Sequence, residues 1–320
     1  MPTKDLPVVV VTWNRVDRLQ TWLETFKALI EPTGYRKRAI IVDNASSDTT
    51  PTVIATAISD RLVRREDVWF QPSNYGFAPA HNLVFRNTIL DGKADFIATL
   101  NEDATAAPAW LAALVNFATT SPQAVGMWGG PIHQPEPNTQ VISSAGHCLR
   151  DDGAFLDIDW NVAASSAKCY TVEGFEPFTP CFAAALWSTK MLREVGLLDD
   201  DQFVYYDDVD LGYRARLGGW RAAFVREAMA HHPLPSKKQS GSRLWVHQQK
   251  GRLAIVCRYL PDAERTRILS ILSPDLRAIY DEALWEGRRY DAIGNNQERT
   301  TIWTEWLGKH CRSGHARPAT

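Results

Sequence analysis

Hydrophobic positions along this chain change period at regular intervals. Val8 to Val11 is a continuous β-branched run, the pattern of a strand buried on both faces of a parallel sheet. Leu19, Trp22, Leu23, Phe26, Leu29 and Ile30 then recur at helical spacing. Asp17 is placed to cap that helix, and Pro32 and Gly34 to end it. Ala39 to Val42 predicts a second strand, Thr49 to Ile58 a helix, and Val68 to Phe70 a short third strand. A helix to about Leu90, a strand from Ala94 to Leu100, a helix opened by Pro108 and a strand from Val125 to Trp128 follow. Trp110, Leu111, Leu114, Val115 and Phe117 share one face of the helix after Pro108. Alternation of this kind predicts an α/β fold: a mostly parallel, doubly wound sheet with helices on both faces.

The rhythm breaks at Gly129. Residues 131–177 are rich in Pro, Gly, Ser and Asp, with strand-like pieces such as Gln140 to Ser143. Structureless loops of that length are uncommon unless functional, so an insertion covering the site and helping to choose the acceptor is expected. Phe178 to Trp187 reads as a buried strand and Thr189 to Val195 as a short helix ended by Gly196. Another helix runs from Asp207 through Leu217, and Arg221 to Val225 and Ala228 to Ala230 look like strands. From Leu244 onward the pattern is helical, with Pro261 stopping its first segment and further segments at Ile268 to Leu272 and Leu276 to Leu284. Lys237 to Arg243 reads as a mobile basic loop able to close on phosphates, and residues 312–320 as a frayed tail. The expected division is 1–128, 129–235, a helical extension 236–311, and the tail.

Composition narrows the function classes. The formal net charge of −2 supplies no global field for nucleic acid or anionic lipid. No apolar run approaches the roughly 20 residues that span a bilayer, and the N-terminus lacks a signal-peptide core. Five cysteines, none as C-x-x-C, argue against a disulfide framework or a thiolate zinc site and suit a reducing cytoplasm. Peripheral contact with the inner membrane face stays open.

Candidate chemistry gathers at the carboxyl ends of strands, where open α/β sheets bind ligands. The first strand runs into Thr12, Trp13, Asn14 and Arg15, and the second into Asp43 and Asn44. Asp43 can accept hydrogen bonds from a nucleobase or ribose; capping of the next helix by Asp43 and Asp48 is the alternative. Asn74, Gly76 and Asn82 surround the start of a helix whose N–H groups would face an anion such as a diphosphate. Gly76 suggests a tight turn or a close backbone approach to a ligand. His81 reads as a surface or packed helix residue. The strand ending in Leu100 leads into Asn101, Glu102 and Asp103, and adjacent carboxylates there suit a divalent metal bridging to phosphate. A solvated acid pair is the alternative. Asp207, Asp208 and Asp210 follow Tyr205 and Tyr206 at a helix start. One cap does not need three acids, so a general base is expected among them. His231 and His232 end an apolar strand, as packing groups or as metal ligands.

Together these stretches resemble the family 2 inverting glycosyltransferases with the GT-A fold. The matching motifs, in order, are VVVVTWNR, IIVDNASSDTT, NYGFAPAHN, LNEDA, VGLLDDDQFVYYDDVDLGYRARLGGW and AMAHH. They cover roughly residues 7–235 and leave the C-terminal helices untyped. The resemblance implies a nucleoside-diphosphate-sugar donor, a divalent metal (Mn2+ or Mg2+), and direct displacement with inversion. It makes 1–128 the nucleotide-sugar-binding half and 129–235 the acceptor and catalytic half. Thr12, Asn14, Arg15, Asp43, Asn44, Asn74, Gly76, Asn82, Asn101 and Glu102 fall in its donor-binding stretches, Asp43 matching the acid that contacts the nucleoside. Asp103 matches the metal-binding acid of the D-x-D motif and His232 the late metal-binding histidine, with His231 the runner-up. Asp208 matches the catalytic base; Asp207 stands where Glu is usual. Acceptors implied are a carbohydrate, a lipid-linked intermediate or a small molecule. Two departures stand out: N-E-D replaces D-x-D, and Phe182-Ala183 replaces a common Gly-Ala. The first keeps a catalytically weak sugar-nucleotide-binding protein as the alternative. A nucleotidyltransferase is disfavoured, since residues 11–15 contain no glycine.

Overall fold

The computed structural model describes residues 3–135, 140–233, 241–286 and 290–311. Seven strands build its central sheet: β1 (Lys4–Thr12), β2 (Tyr35–Asp43), β3 (Val68–Phe70), β4 (Phe96–Leu100), β5 (Val125–Gly129), β6 (Ala184–Ser188) and β7 (Arg221–Phe224). Their order is β7-β5-β6-β4-β1-β2-β3. β1 is parallel to β2 and β4, β2 to β3, and β7 to β5. β6 alone runs antiparallel, between β4 and β5. That reversal places the start of β6 against the carboxyl end of β4, with Ala184 opposite Leu100. Residues just before β6 therefore reach the ligand-binding edge of the sheet.

Period-two alternation explains the two-sided core. Val8 and Val10 pack on one face with Leu19, Trp22 and Trp110; Val9 packs on the other with Val84, Phe85 and Leu211. Three details differ from the sequence pattern. Leu29 is buried although the helix Val16–Ala28 has ended, whereas Ile30 and Phe117 are exposed. Asp17 lies in that helix's first turn, and Arg15 occupies the cap position with no side-chain cap bond.

The expected insertion is not a structureless loop. Its short strands join a second, five-stranded sheet in the order Val162–Ala163, Val141–Ser144, Ile132–His133, Ala230–His231, Thr105–Ala106. A hairpin of His147–Leu149 with Phe155–Asp157 stands beside it.

Among the described residues, the C-terminal extension forms four helices: Arg243–Tyr259, Asp262–Ser270, Pro274–Trp285 and Asn296–Trp306. Ile255, Val256, Tyr259, Ile302, Trp303 and Trp306 share one apolar cluster with Phe178, Val209 and Tyr213. The extension thus covers the back of the helix Asp207–Leu217. Cys148 is joined to Cys311 in a disulfide, Cα to Cα 5.8 Å, which corrects the expectation of reduced cysteines. Spacing hid this pair, because the two lie 163 residues apart and meet only through tertiary packing. Among the described residues no helix is long and apolar enough to cross a membrane. Most of the basic loop, Lys237 and Lys238 included, and the tail 312–320 lie outside the described residues.

Candidate active site

Asp103 and His232 meet because the small sheet pairs the segments beside them. Thr105–Ala106 and Ala230–His231 are antiparallel, with His231 opposite Thr105. His232 Nε2 lies 3.0 Å from Asp103 Oδ1, and Arg18 Nη1 lies 2.6 Å from Oδ2. Burial raises the Asp103 carboxyl, but His232 and Arg18 outweigh it and hold the group below the usual carboxylate range. His231, on the opposite face of the strand, turns toward His133, ring centroids 6.0 Å apart. Of the two histidines, His232 is therefore the one beside the acid. Glu102 receives a 3.4 Å hydrogen bond from the Trp13 N–H, and burial pushes its carboxyl up to about 7. Asn101 Oδ1 is buried without a hydrogen-bond partner among the described residues. Asp103 and Asn101 offer oxygen donors and His232 an imidazole nitrogen, a set that fits a divalent cation bridging to phosphate.

Asp208 lies in the first turn of Asp207–Leu217. Its Oδ2 accepts from His147 Nε2 at 2.8 Å and from the Phe182 N–H at 3.1 Å; Oδ1 accepts from the Val209 N–H at 2.9 Å. Burial raises its carboxyl, but His147 and the two backbone donors outweigh that and keep it ionised. Two consecutive residues before the helix, Tyr205 and Tyr206, adopt left-handed φ values of 75° and 65°. Backbone strain of this kind collects at functional sites, where packing over-determines it. Asp207 differs from its neighbour. It is buried, its Oδ1 has no hydrogen-bond partner among the described residues, and burial with Asp208, Asp210 and Asp199 nearby pushes its carboxyl well up. Of the two adjacent acids, Asp207 is thus the one whose proton is held more tightly, and Asp208 the one that accepts hydrogen bonds.

The segment before β6 joins the two centres. Ala183 O accepts the Asn101 N–H at 2.9 Å, while the neighbouring Phe182 N–H holds Asp208. Asn101 through Asp103 and Asp208 therefore border the same edge of the sheet.

Other predicted donor residues knit together the loops that follow β1, β2 and β3. Asn14 Oδ1 accepts from the Ser47 N–H at 2.7 Å, and Asp43 Oδ1 from the Ser46 N–H at 3.1 Å. Arg15 is exposed and lends positive charge to Glu102. Thr12 is buried, its carbonyl accepting from the Asn44 N–H at 2.9 Å. Asn44 donates to Asn74 Oδ1 and to Gly76 O, at 2.9 and 3.0 Å. Gly76 has a φ of 99°, and a Cβ there would stand 2.6 Å from Phe203 O. Its close approach is thus to protein rather than to a ligand. The first N–H of the helix Phe77–Asp91 is likewise taken by Phe203 O, at 2.7 Å. Asn82 is fully buried, with its amide spent on Leu198 and Asp200. It fastens the loop ahead of Asp208 instead of reaching the cleft.

His81 packs among Phe77, Phe85 and Phe182, as the sequence suggested. Burial depresses its imidazole to about 4. The unfolded chain therefore binds the extra proton first as pH falls. Stability contributed by neutral His81 is complete above about 6.5 and is lost toward pH 4, a change on the order of 3 kcal/mol. Urea denaturation at pH 7 and pH 4.5 should show a smaller acid-induced loss in His81→Gln than in the parent; equal losses would refute this account.

The main residue missed by sequence reasoning is His147. It lies in the stretch read as an insertion, and only the hairpin and the bond from its N–H to Thr179 O, 2.9 Å, bring it to Asp208. His147, Cys181 and Asp208 hold ligand-type atoms within 4.8 Å of one another. Burial keeps the Cys181 thiol protonated.

Residues 8–165 match the family model described as Glycosyl transferase family 2. An N-acetylglucosaminyl-diphospho-decaprenol L-rhamnosyltransferase of Mycobacterium tuberculosis is 26% identical over 276 residues, spanning 80% of this chain and 86% of its own. Among solved structures, a mannosyltransferase from Pyrobaculum calidifontis in complex with GDP-Man and Mn2+ gives a TM-score of 0.55 at 16% identity, covering 95% of this chain and 79% of that one. GalNAc-T7 with UDP, GalNAc and Mn2+ gives 0.64 at 12% identity, covering 95% of this chain and 58% of that one.

Proposed function

Since this chain is a family 2 glycosyltransferase with the GT-A fold, we propose that it transfers a sugar from a nucleoside diphosphate to an acceptor hydroxyl with inversion, using Asp208 as base. The observation that carries this reading is the pair of dissimilar acids on one sheet edge. Asp103 sits between Arg18 and His232, whereas Asp208 is largely buried, held below the usual carboxylate range by His147 and backbone donors, and presented by a strained turn. In the reaction Asp208 takes the proton of the attacking hydroxyl. The new oxygen–carbon bond forms at the anomeric carbon as the bond to the diphosphate breaks, and the leaving diphosphate keeps that electron pair. A divalent metal held by Asp103 and His232, with Asn101 adjoining, would supply charge to stabilise that diphosphate. Arg18 and Arg15 add positive charge at the same end of the site.

The acceptor we infer is a lipid-diphosphate-linked saccharide, following the relative from M. tuberculosis, and the donor a hexosyl or 6-deoxyhexosyl nucleotide. Work on such an acceptor would place the protein at a membrane surface. The test is a thermal-shift series with UDP, GDP and dTDP, each with and without Mn2+. One nucleotide should raise Tm only when metal is present. Saturation at a hundred times Kd corresponds to about 2.7 kcal/mol, and Asp103→Ala should remove the shift. A shift of equal size with metal chelated would overturn the metal assignment.

A further inference from the structure

We propose that His147 is a positioning residue for the base: its Nε2–H fixes Asp208 in place, and its charge holds that carboxylate in the ionised form. The proposal rests on the reading of Asp208 as base. Three geometric facts carry it. The His147–Asp208 contact is 2.8 Å long, and both side chains are largely buried, 12% and 14% exposed. The imidazole is itself aimed from behind, with Asp157 Oδ1 3.5 Å from Nδ1 on the facing strand of the hairpin. Its backbone is fixed at both ends, since the His147 N–H donates to Thr179 O at 2.9 Å and its carbonyl accepts the Phe178 N–H at 3.0 Å.

The groups facing this pair are Asp157, Cys181, Asp207 and Tyr206. Burial pushes up the Cys181 thiol, the Asp207 carboxyl and the Tyr206 phenol alike, so each favours its protonated form. That leaves His147 standing between two acids, Asp157 at its Nδ1 and Asp208 at its Nε2. Burial alone would neutralise the imidazole, but Asp208, Cys181 and Asp157 outweigh it and keep it protonated. When Asp208 takes the acceptor proton, the imidazolium is left facing Asp157 instead of standing unpaired. A serine-type proton relay does not fit, because His147 already carries both of its protons before the reaction.

Two readouts test this on the full chain. Histidine NMR should show His147 titrating clearly above an ordinary imidazole, and falling back toward it in Asp208→Asn. Ordinary titration in the parent protein would overturn the proposal. The second readout is the pH profile of nucleoside diphosphate release from whichever of the UDP-, GDP- or dTDP-sugars the protein turns over. His147→Gln keeps a donor but no charge, so the acid limb should move up by roughly one pH unit or more, with turnover recovered at higher pH. His147→Ala should lose turnover at every pH. A limb unmoved in His147→Gln refutes this inference while leaving Asp208 as base. Full turnover in Asp208→Asn would refute the base itself, whatever His147 does.

Discussion

Asp208→Asn is expected to slow sugar transfer by roughly 10²–10⁴-fold, the range ascribed to a positioned general base. Donor binding should stay within about twofold, because the residues read as donor-facing lie at or just after the ends of β1, β2, β3 and β4 and in the helix Phe77–Asp91, and do not bond to Asp208. Asparagine has the shape of the carboxylate, and its single oxygen can still accept from His147 and the Phe182 N–H, at the cost of the bond from the Val209 N–H. It cannot take a proton from a hydroxyl. His147 adapts as well: without a carboxylate opposite, its imidazole falls back toward ordinary titration and can become neutral near pH 7. The fold should therefore survive, with Tm close to that of the parent. Transfer is measured as nucleoside diphosphate release, and binding by the nucleotide-induced thermal shift in the same preparation. Loss of both together would mean that the variant disturbs the fold or the donor site, and the base assignment would lack support. Retention of full transfer would sink it.

Much of the sheet was readable from the chain because buried parallel strands and amphipathic helices leave strong periodic signals. The short helix Thr189–Val195 and the strand Val68–Phe70 lie where the pattern placed them. Direction was not readable: β6 is as apolar as its neighbours, and its reversal depends on what the preceding segment reaches. The carboxylates at strand ends were visible as chemistry, since acids next to buried runs need partners. Their partners were not. Arg18 lies 85 residues from Asp103 and His147 lies 61 residues from Asp208, with no local signal joining either pair. The protein neighbours of Asn82 and Gly76 carried no local signal for a related reason. An amide or a glycine near a helix start looks the same whether it faces a ligand or another loop.

That ambiguity is sharpest in the run Asp207, Asp208 and Asp210, where one spacing holds three different jobs. Asp207 is a buried acid whose carboxyl burial pushes up, and Asp208 a carboxylate facing His147 and held down by it. Asp210 is a structural anchor, with a side chain only 2% exposed. Arg214 Nε lies 2.9 Å from Asp210 Oδ2, while Tyr259 OH donates to Oδ1 at 2.6 Å. Arg258 Nη1 lies 3.3 Å from Oδ1 and 2.5 Å from Asp199. Asp210 thereby ties the Asp208-bearing helix to the C-terminal extension, whose Arg243–Tyr259 helix supplies Arg258 and Tyr259.

Asp210→Asn should consequently do the reverse of Asp208→Asn. It leaves Arg214 buried beside a neutral amide, and a guanidinium, unlike an imidazole, cannot shed its proton to escape the penalty. Arg258 keeps Asp199, which limits the damage to one stranded charge. Removing one partner of a buried pair in this way costs about 3–5 kcal/mol. Urea denaturation should show a clearly lower midpoint and thermal melting a lower Tm. Below its melting temperature the variant should retain metal-dependent nucleotide binding, because Asp103 and His232 sit on other elements. Unchanged denaturation would mean that the network yields no net stabilisation over a neutral residue. Normal stability with lost transfer would move Asp210 from anchor to reaction chemistry, and would require a different account of why three acids stand at the start of this helix.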